Sequence, residues 1–134
     1  MALDKHGKVK TSYGAVKTSC YARRLPNWQK YFRRQQFHIV DGDALIENPL
    51  PELKKVEHFL ELRPYFDESF VTFDENKGFY CYHTVAGEKK CLGRSKGHAH
   101  PNVSRDVIET LTEFYKPWNA KFYRMVGREF SWPT

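Results

Sequence analysis

The chain has 134 residues, of which 40% are hydrophobic and 16% are aromatic. This composition excludes an intrinsically disordered protein, and the length of residues 1–134 predicts one domain with a single core. No apolar run is long enough to span a bilayer, and the first residues lack the apolar stretch of a signal peptide. The sequence therefore predicts neither a membrane segment nor a signal.

The net charge of +6 is distributed unevenly along the chain. Residues 1–34 contain nine Lys or Arg and one acidic residue, for a net charge of +8. Residues 35–76 have a net charge of −7, and residues 77–134 have a net charge of +5. If the two basic segments share a face, that face attracts a polyanion such as nucleic acid, acidic lipid or sulfated polysaccharide. The alternative is an ordinary solvated basic surface.

The first half of the chain is predicted to be mostly helical. Apolar residues recur at helical spacing over residues 19–32, and Pro26 is expected to kink or restart that helix. Residues 37–40 predict a short strand, and Asp43 is expected to cap a helical turn. An amphipathic helix is predicted over residues 51–62. Its predicted buried residues are Leu53, Val56, Phe59 and Leu60.

The second half combines extended segments with helices. Residues 70–73 are expected to be extended, and a β-hairpin follows them. Ser104 is expected to cap a further helix, Pro117 to break it and begin a last helix, and Gly127 to end that one. The predicted buried face comprises Val107, Ile108, Leu111, Phe114 and Tyr115. Together the elements predict a mixed α/β fold.

Two cysteines flank the predicted hairpin. Cys81 and Cys91 are ten positions apart, with the turn-like pair Ala86-Gly87 between them. This spacing favours a disulfide, which would indicate an oxidising compartment. The Gly- and Lys-rich segment 93–97 follows and is typical of an anion-binding loop. Cys20 lies in a helical pattern and is interpreted as a buried small hydrophobic residue.

Zinc binding is the alternative for these cysteines. His83, His98 and His100 lie close to them in the sequence and supply enough nitrogen ligands for a tetrahedral site. The spacing of the five residues matches no common zinc finger. The disulfide is therefore preferred, and no metal is expected.

Several motifs in a fixed order resemble the heparan sulfate glucosamine 3-O-sulfotransferases. The match runs from about Ser12 to Trp132, so residues 1–134 are interpreted as the C-terminal part of a sulfotransferase domain. The motifs include Tyr21-Ala22-Arg23, Asp41-Gly42-Asp43, Lys77-Gly78-Phe79-Tyr80-Cys81, Ser95-Lys96-Gly97, Phe114-Tyr115-Lys116-Pro117 and Lys121-Phe122-Tyr123.

The resemblance implies transfer of a sulfuryl group from 3′-phosphoadenylyl sulfate to glucosamine of heparan sulfate. It implies a P-loop-kinase-like α/β fold, incomplete in this chain, and a location in the Golgi lumen. The family's hairpin cysteines are disulfide-bonded, in agreement with the spacing. Heparan sulfate is the implied partner, and nucleic acid is not expected.

The resemblance also implies site residues. The implied cofactor-binding residues are Tyr80, Lys96, Gly97, His98, Ala99 and His100. Tyr13 and Gly14 lie where the family contacts the acceptor sugar. His98 departs from the family, which usually has arginine there. No residue is assigned as catalytic, because the family's phosphosulfate loop and catalytic glutamate belong to an N-terminal half whose motifs are not found here. The chain alone is therefore not expected to catalyse sulfuryl transfer.

Two other functions stay open from the sequence. A catalytically inactive protein that binds heparan sulfate would keep the basic face and lose the cofactor. A nucleic-acid-binding module would use exposed aromatic side chains to stack on bases. The candidate stacking residues are Tyr21, Trp28, Tyr31 and Phe32. Their helical spacing favours core packing instead.

Overall fold

The structure is a computed structural model that describes residues 2–92 and 102–133. The chain divides into two compact units, here called the helical unit (Met1–Phe37 with His100–Thr134) and the hairpin unit (His38–Ala99). In chain order the elements are α1 (Gly14–Ser19), α2 (Tyr21–Gln29), a 3₁₀ turn (Arg34–Gln36), α3 (Gly42–Glu47), α4 (Pro49–Phe59), β1 (Val71–Asp74), β2 (Phe79–His83), β3 (Lys89–Lys90) and α5 (Arg105–Val126). None of these helices is long and apolar enough to cross a membrane.

The core of the helical unit forms where α5 packs against α2. On α5 the buried side chains include Phe122, whose ring contacts Tyr21 at 5.5 Å and Trp132 at 6.0 Å between centroids. The C-terminal segment is also held by the Tyr123 hydroxyl, which donates to the carbonyls of Phe130 and Trp132. Tyr21 contacts this core but is itself 48% exposed. Trp28, Tyr31 and Phe32 are 59%, 83% and 43% exposed, so the prediction that these aromatic residues pack in the core is wrong: the residue that α2 buries is Ala22.

The predicted helix over residues 19–32 is wrong in its bounds. The helix breaks at Cys20, whose φ of −78° and ψ of 76° are not helical, and α2 continues through Pro26. Cys20 is 1% exposed, and its thiol lies 3.5 Å from the carbonyl of Val16. The chain bends where burial of Cys20 requires it, whereas a proline within a helix removes only one backbone hydrogen bond.

Pro117 does not break α5, so the prediction of two helices there is wrong. A proline in a helix interior costs about 3 kcal/mol. Continuing the helix places Phe122, Tyr123 and Val126 in the core, which offsets that cost. The end at Gly127 is confirmed, because Gly127 has a φ of 65° and its N–H donates to the Tyr123 carbonyl.

The start and the apolar face of α5 differ in part from expectation. Ser104 precedes the helix as predicted, but its side chain makes no capping bond to the backbone. Its hydroxyl instead bonds the carboxylate of Asp106, which lowers the pKa of Asp106. Ile108 was predicted to be buried and is 53% exposed. The apolar stripe of α5 is therefore only partly covered within the described residues.

The hairpin unit contains a three-stranded antiparallel sheet in the order β1-β2-β3. Phe73 pairs with Tyr80 and Thr72 with Cys81 across the first two strands. The turn before β2 contains Gly78 at a φ of 71°, and the turn before β3 contains Gly87 at a φ of 79°. Both residues lie in the left-handed region of backbone conformation, which glycine adopts readily. The predicted hairpin and its turn at Ala86-Gly87 are confirmed.

The short helices of this unit begin earlier than predicted. Asp41, not Asp43, caps α3, because its carboxylate accepts from the N–H groups of Asp43 and Ala44. Asn48 then ends α3 and caps α4, which begins at Pro49 instead of position 51. An aspartate that precedes the helix can reach its free N–H groups, whereas one already inside it is less well placed.

Two further expectations for this unit are wrong. Residues 37–40 do not belong to the sheet, although Phe37 is extended at φ −114° and ψ 126°. A strand needs a neighbouring strand for its backbone hydrogen bonds, and this sheet pairs only β1, β2 and β3. Leu60 was expected inside and is 53% exposed, because α4 ends at Phe59.

Candidate functional site

The sheet presents an aromatic face around Tyr80. Tyr80 is half-buried, and its ring lies edge-on to that of Phe73 at 5.2 Å. Tyr82 points to the same face, since side chains two positions apart on a strand share a side. Phe73 is 48% exposed and Tyr82 is 43% exposed. The face therefore offers partly open aromatic rings to a planar ligand.

A disulfide fixes the strand that carries Tyr80. Cys81 and Cys91 are bonded, with their Cα atoms 4.4 Å apart, and Cys81 is 2% exposed. The predicted pairing is confirmed, and so is the free, buried state of Cys20. Cys91 directly precedes Leu92 and the predicted anion-binding loop. The bond thus ties the start of that loop to the residue next to Tyr80.

The disulfide argues against the zinc alternative. Among the described residues, one group of three potential ligands lies within 4.8 Å: Asp74, Cys81 and Cys91. The two sulfur atoms are bonded to each other and are not thiolates, which zinc requires. His83 is hydrogen-bonded to the hydroxyl of Thr72 at 2.8 Å.

Asp74 instead forms an ion pair across the sheet. Its carboxylate accepts from the Lys89 ammonium at 2.9 Å, and this bond lowers the pKa of Asp74. The pair joins the end of β1 to the start of β3 on the side of the disulfide. It therefore links the two edge strands of the sheet.

The other predicted cofactor residues lie outside the described residues. They are Lys96, Gly97, His98, Ala99 and His100. Their proposed roles stay predictions.

Tyr13 and Gly14 are positioned by the helical unit. Tyr13 precedes α1 and is 40% exposed, and Gly14 is the first residue of the helix. The carbonyl of Tyr13 accepts from the N–H of Lys17, one helical turn further on. Both predicted acceptor residues are therefore at the surface, which a contact with a polysaccharide requires.

A basic cavity close to these residues was not predicted. It has a volume of about 190 Å³ and is lined by Lys17, Arg23 and Arg24. The Arg23 guanidinium lies 5.3 Å from the ring centroid of Trp118, a cation–π distance. The bend at Cys20 joins the end of α1 to the start of α2 and groups these cations. The sequence showed the high positive charge of residues 1–34 but not the bend at Cys20 that brings three of these cations together.

Arg34 has a different role from the cations of the cavity. One nitrogen of its guanidinium donates to the carbonyl of Val126, the last residue of α5, and another donates to the carbonyl of Phe37. The last carbonyls of a helix lack partners within the helix. Arg34 thus caps α5 and is engaged within the protein.

Two buried glutamates were also missed by the sequence. Glu57 is 6% exposed, and its Oε1 accepts from the N–H groups of Tyr65 and Phe66 at 2.6 and 2.9 Å. Glu52 is 1% exposed, accepts from the N–H of Asp41 and forms an ion pair with Lys55. Both carboxylates hold backbone segments in place, and this use explains their burial without a catalytic role.

The sequence matches the family model described as the sulfotransferase domain over residues 4–125. The chain belongs to this family. It is 48% identical over 134 residues to heparan sulfate glucosamine 3-O-sulfotransferase 5 of Mus musculus and of Homo sapiens. It is 39% identical over 128 residues to heparan sulfate glucosamine 3-O-sulfotransferase 3B1 of Mus musculus.

These matches cover most of the sulfotransferase chain and a smaller part of each relative. The alignment with the mouse enzyme numbered 5 includes 99% of this chain and 39% of that protein. The alignment with the mouse enzyme numbered 3B1 includes 94% of this chain and 33% of that protein. The chain therefore spans well under half the length of the relatives it matches. The predicted family resemblance is confirmed.

Proposed function

We propose that this chain is part of an enzyme that transfers a sulfuryl group from 3′-phosphoadenylyl sulfate to the 3-hydroxyl of glucosamine in heparan sulfate. The relatives named above, at 39–48% identity, support this substrate and reaction. The observation that carries the proposal is the Cys81–Cys91 disulfide. It links Cys81, the neighbour of Tyr80 in β2, to Cys91, which precedes the Gly- and Lys-rich segment 93–97 in the sequence.

The hairpin unit supplies the cofactor-binding residues. Tyr80 offers a half-buried ring with a polar hydroxyl to the adenosine. Lys96 neutralises phosphate charge, and the glycine that follows lets the backbone approach the ligand closely. His98 and His100 follow Gly97 in the sequence and are the further proposed cofactor-binding residues. The cofactor supplies the activated sulfuryl group, while these residues bind and orient it.

The helical unit supplies the acceptor-binding residues. Tyr13 is exposed where α1 begins, and Gly14 leaves the space beside it open. The base that takes the acceptor proton is not among the residues assigned here. Glu52 and Glu57 are not candidates, because their oxygens are engaged with backbone N–H groups and a lysine.

The proposal extends to the fold and the compartment. We infer that the helices and the stapled sheet are part of a P-loop-kinase-like α/β fold. The disulfide suits an oxidising compartment such as the Golgi lumen, where heparan sulfate is modified.

The proposed activity is tested in a chimaera. In it, residues 1–134 replace the matching residues of mouse heparan sulfate glucosamine 3-O-sulfotransferase 5. We expect transfer of labelled sulfate from 3′-phosphoadenylyl sulfate to heparan sulfate, and loss of transfer after Lys96→Ala. Lys77→Ala removes a charge outside the loop and serves as the matched control. A folded chimaera without transfer would contradict the proposal.

An inactive protein that binds heparan sulfate is the second candidate. The basic cavity favours it, because polyanion binding needs only the helical unit. The same chimaera separates the two candidates. If heparin binds while adenosine 3′,5′-bisphosphate does not, the inactive binding protein is supported and the enzyme is refuted.

A further inference from the structure

We infer that the cavity lined by Lys17, Arg23 and Arg24 binds a sulfo group of the polysaccharide at a position away from the reacting glucosamine. This inference rests on the proposed function, and it assigns a separate subsite within it. The argument begins with charge. Three cationic side chains line one cavity, and no ion pair joins any of them to a residue in the ranges 2–92 and 102–133.

The backbone forces this grouping. The bend at Cys20 is fixed from the buried side, where Val16, Cys20 and Ala22 are all at most 3% exposed. The Tyr115 hydroxyl donates to the carbonyl of Val16 at 3.3 Å and ties α5 to the same place. The opposite side of the bend must then carry the charged residues. Because like charges repel, folding gathers them at a cost that a bound anion removes.

The cavity is partly organised before any ligand binds. The Arg23 side chain rests on Trp118, which limits the rotamers that binding would otherwise have to restrict. No acidic residue lies in the first turn of α2, so nothing there neutralises the guanidinium groups. Guanidinium groups bind tetrahedral oxyanions through paired hydrogen bonds.

The position of the cavity indicates a polymer. Tyr13 caps α1 and Lys17 lies four residues further on, so roughly 6 Å along the helix axis separates them. A polysaccharide that contacts Tyr13 therefore passes the cavity. A single-stranded nucleic acid would need bases to stack on aromatic rings, and no aromatic residue among residues 2–92 and 102–133 lines the cavity.

The cavity is also large enough for a sulfo group that is bonded to a sugar. Its volume of about 190 Å³ is far larger than the roughly 10–15 Å³ that a single water molecule needs on the same measure. A sulfo group fits together with part of the sugar to which it is bonded. The ligand class is thus a sulfated glycan, and free inorganic sulfate shares only the anionic group.

The test compares two triple variants of the 134-residue chain by heparin affinity. The first variant removes the positive charges that line the cavity and carries Lys17→Gln, Arg23→Gln and Arg24→Gln. The second variant removes three positive charges from the same basic segment but outside the cavity, and carries Lys5→Gln, Lys8→Gln and Lys10→Gln. We expect a loss of roughly 10- to 100-fold for the cavity variant and of less than about threefold for the control.

The salt dependence of binding gives a second readout. Each lost anion contact should reduce the slope of log affinity against log salt by roughly 0.7–0.9, so the cavity variant should lose about two to three units of slope. Equal losses in the two triple variants would mean diffuse attraction and would overturn the inference. Circular dichroism of both variants checks that α2 is retained. If Arg23→Gln disturbs packing on Trp118, the pair Lys17→Gln and Arg24→Gln replaces the triple variant.

Three competing ligands distinguish the sources of the anion. We expect a sulfated octasaccharide to displace heparin, with inorganic sulfate at matched ionic strength having little effect. Duplex DNA that binds as tightly as heparin, and loses as much in the cavity variant, would overturn the assignment to a glycan. Weaker binding of adenosine 3′,5′-bisphosphate to the cavity variant, with heparin unaffected, would reassign the cavity to the nucleotide. Transfer by the chimaera is measured separately, so loss of the proposed activity would not be confused with loss of this subsite.

Discussion

The two units of this chain are stabilised in different ways and carry opposite charge. The helical unit has a net charge of +9, from fourteen basic and five acidic residues, and its core is aromatic. The hairpin unit has a net charge of −3, from eight basic and eleven acidic residues. It relies on a disulfide and on buried carboxylates that bind backbone N–H groups.

This difference matches the ligands proposed for each unit. A polysaccharide is a dense polyanion, and the basic helical unit attracts it over a wide surface. A nucleotide is small and needs a few groups in fixed places, which the disulfide beside Tyr80 provides. On the proposed function, the charge of the helical unit would bind the acceptor, and the rigidity of the hairpin unit would bind the cofactor.

The largest effect is expected in the aromatic core of the helical unit. Phe122→Ala should lower the free energy of unfolding by about 3–5 kcal/mol, because it leaves a cavity among Tyr21, Phe130 and Trp132. Chemical denaturation measures it. Phe73→Ala removes an equal side chain that is 48% exposed, and it should cost far less. Similar losses in both variants would contradict the core assigned here.

The next effect concerns the buried carboxylate of the hairpin unit. Glu57→Ala should cost about 3 kcal/mol, since it leaves the N–H groups of Tyr65 and Phe66 without their acceptor. Glu57→Gln keeps a side-chain oxygen and should cost less. Hydrogen exchange of these two amides reports the loss directly. Glu68→Ala, at an exposed position, is the control, and unchanged exchange in Glu57→Ala would refute the assigned role.

Removal of the disulfide should have a somewhat smaller effect. Replacing both Cys81 and Cys91 by serine should cost about 2–3 kcal/mol on the chain-entropy model, given their separation of ten residues. Hydrogen exchange should increase in β2 and β3 and stay unchanged in α5. Cys20→Ala changes a cysteine that lies outside the disulfide and serves as the matched control. Faster exchange in α5 alone would contradict the separation of the two units.

The smallest effect is a dependence on pH. The Lys89 hydrogen bond lowers the pKa of Asp74 below the ordinary value of an aspartate. A carboxyl whose pKa is lower in the folded state contributes stability above pH 4, and that contribution is lost as pH falls through the lowered pKa. The denaturation midpoint should thus fall less between pH 7 and pH 2 in Asp74→Asn than in the original chain. An identical pH profile would show that the pair contributes nothing.

The sequence predicted those features that depend on local patterns. The hairpin, its disulfide and the end of α5 at Gly127 follow from turn residues, cysteine spacing and the left-handed preference of glycine. The predicted restart of a helix at Pro26 and the predicted break at Pro117 were wrong. At Pro117, burial of Phe122, Tyr123 and Val126 further along the helix offsets the cost of the proline.

The missed features depend on contacts that no local pattern shows. Glu52 and Glu57 look like solvated charges of an amphipathic helix, yet they are buried against backbone from other segments. The basic cavity required the bend at Cys20, whose position is set by packing. The proposed role of Tyr80 came only from the family resemblance, since an aromatic residue in a strand is ordinarily a packing residue.

The most direct measurement compares two variants with two ligands in the chimaera. The first variant is Tyr80→Ala, and the second carries Lys17→Gln, Arg23→Gln and Arg24→Gln. Calorimetry should show about tenfold weaker binding of adenosine 3′,5′-bisphosphate only in the first, as expected for loss of one stacking ring. Binding of a sulfated octasaccharide should weaken only in the second. If each variant weakened both ligands equally, the assignment of cofactor and acceptor to separate units would be wrong.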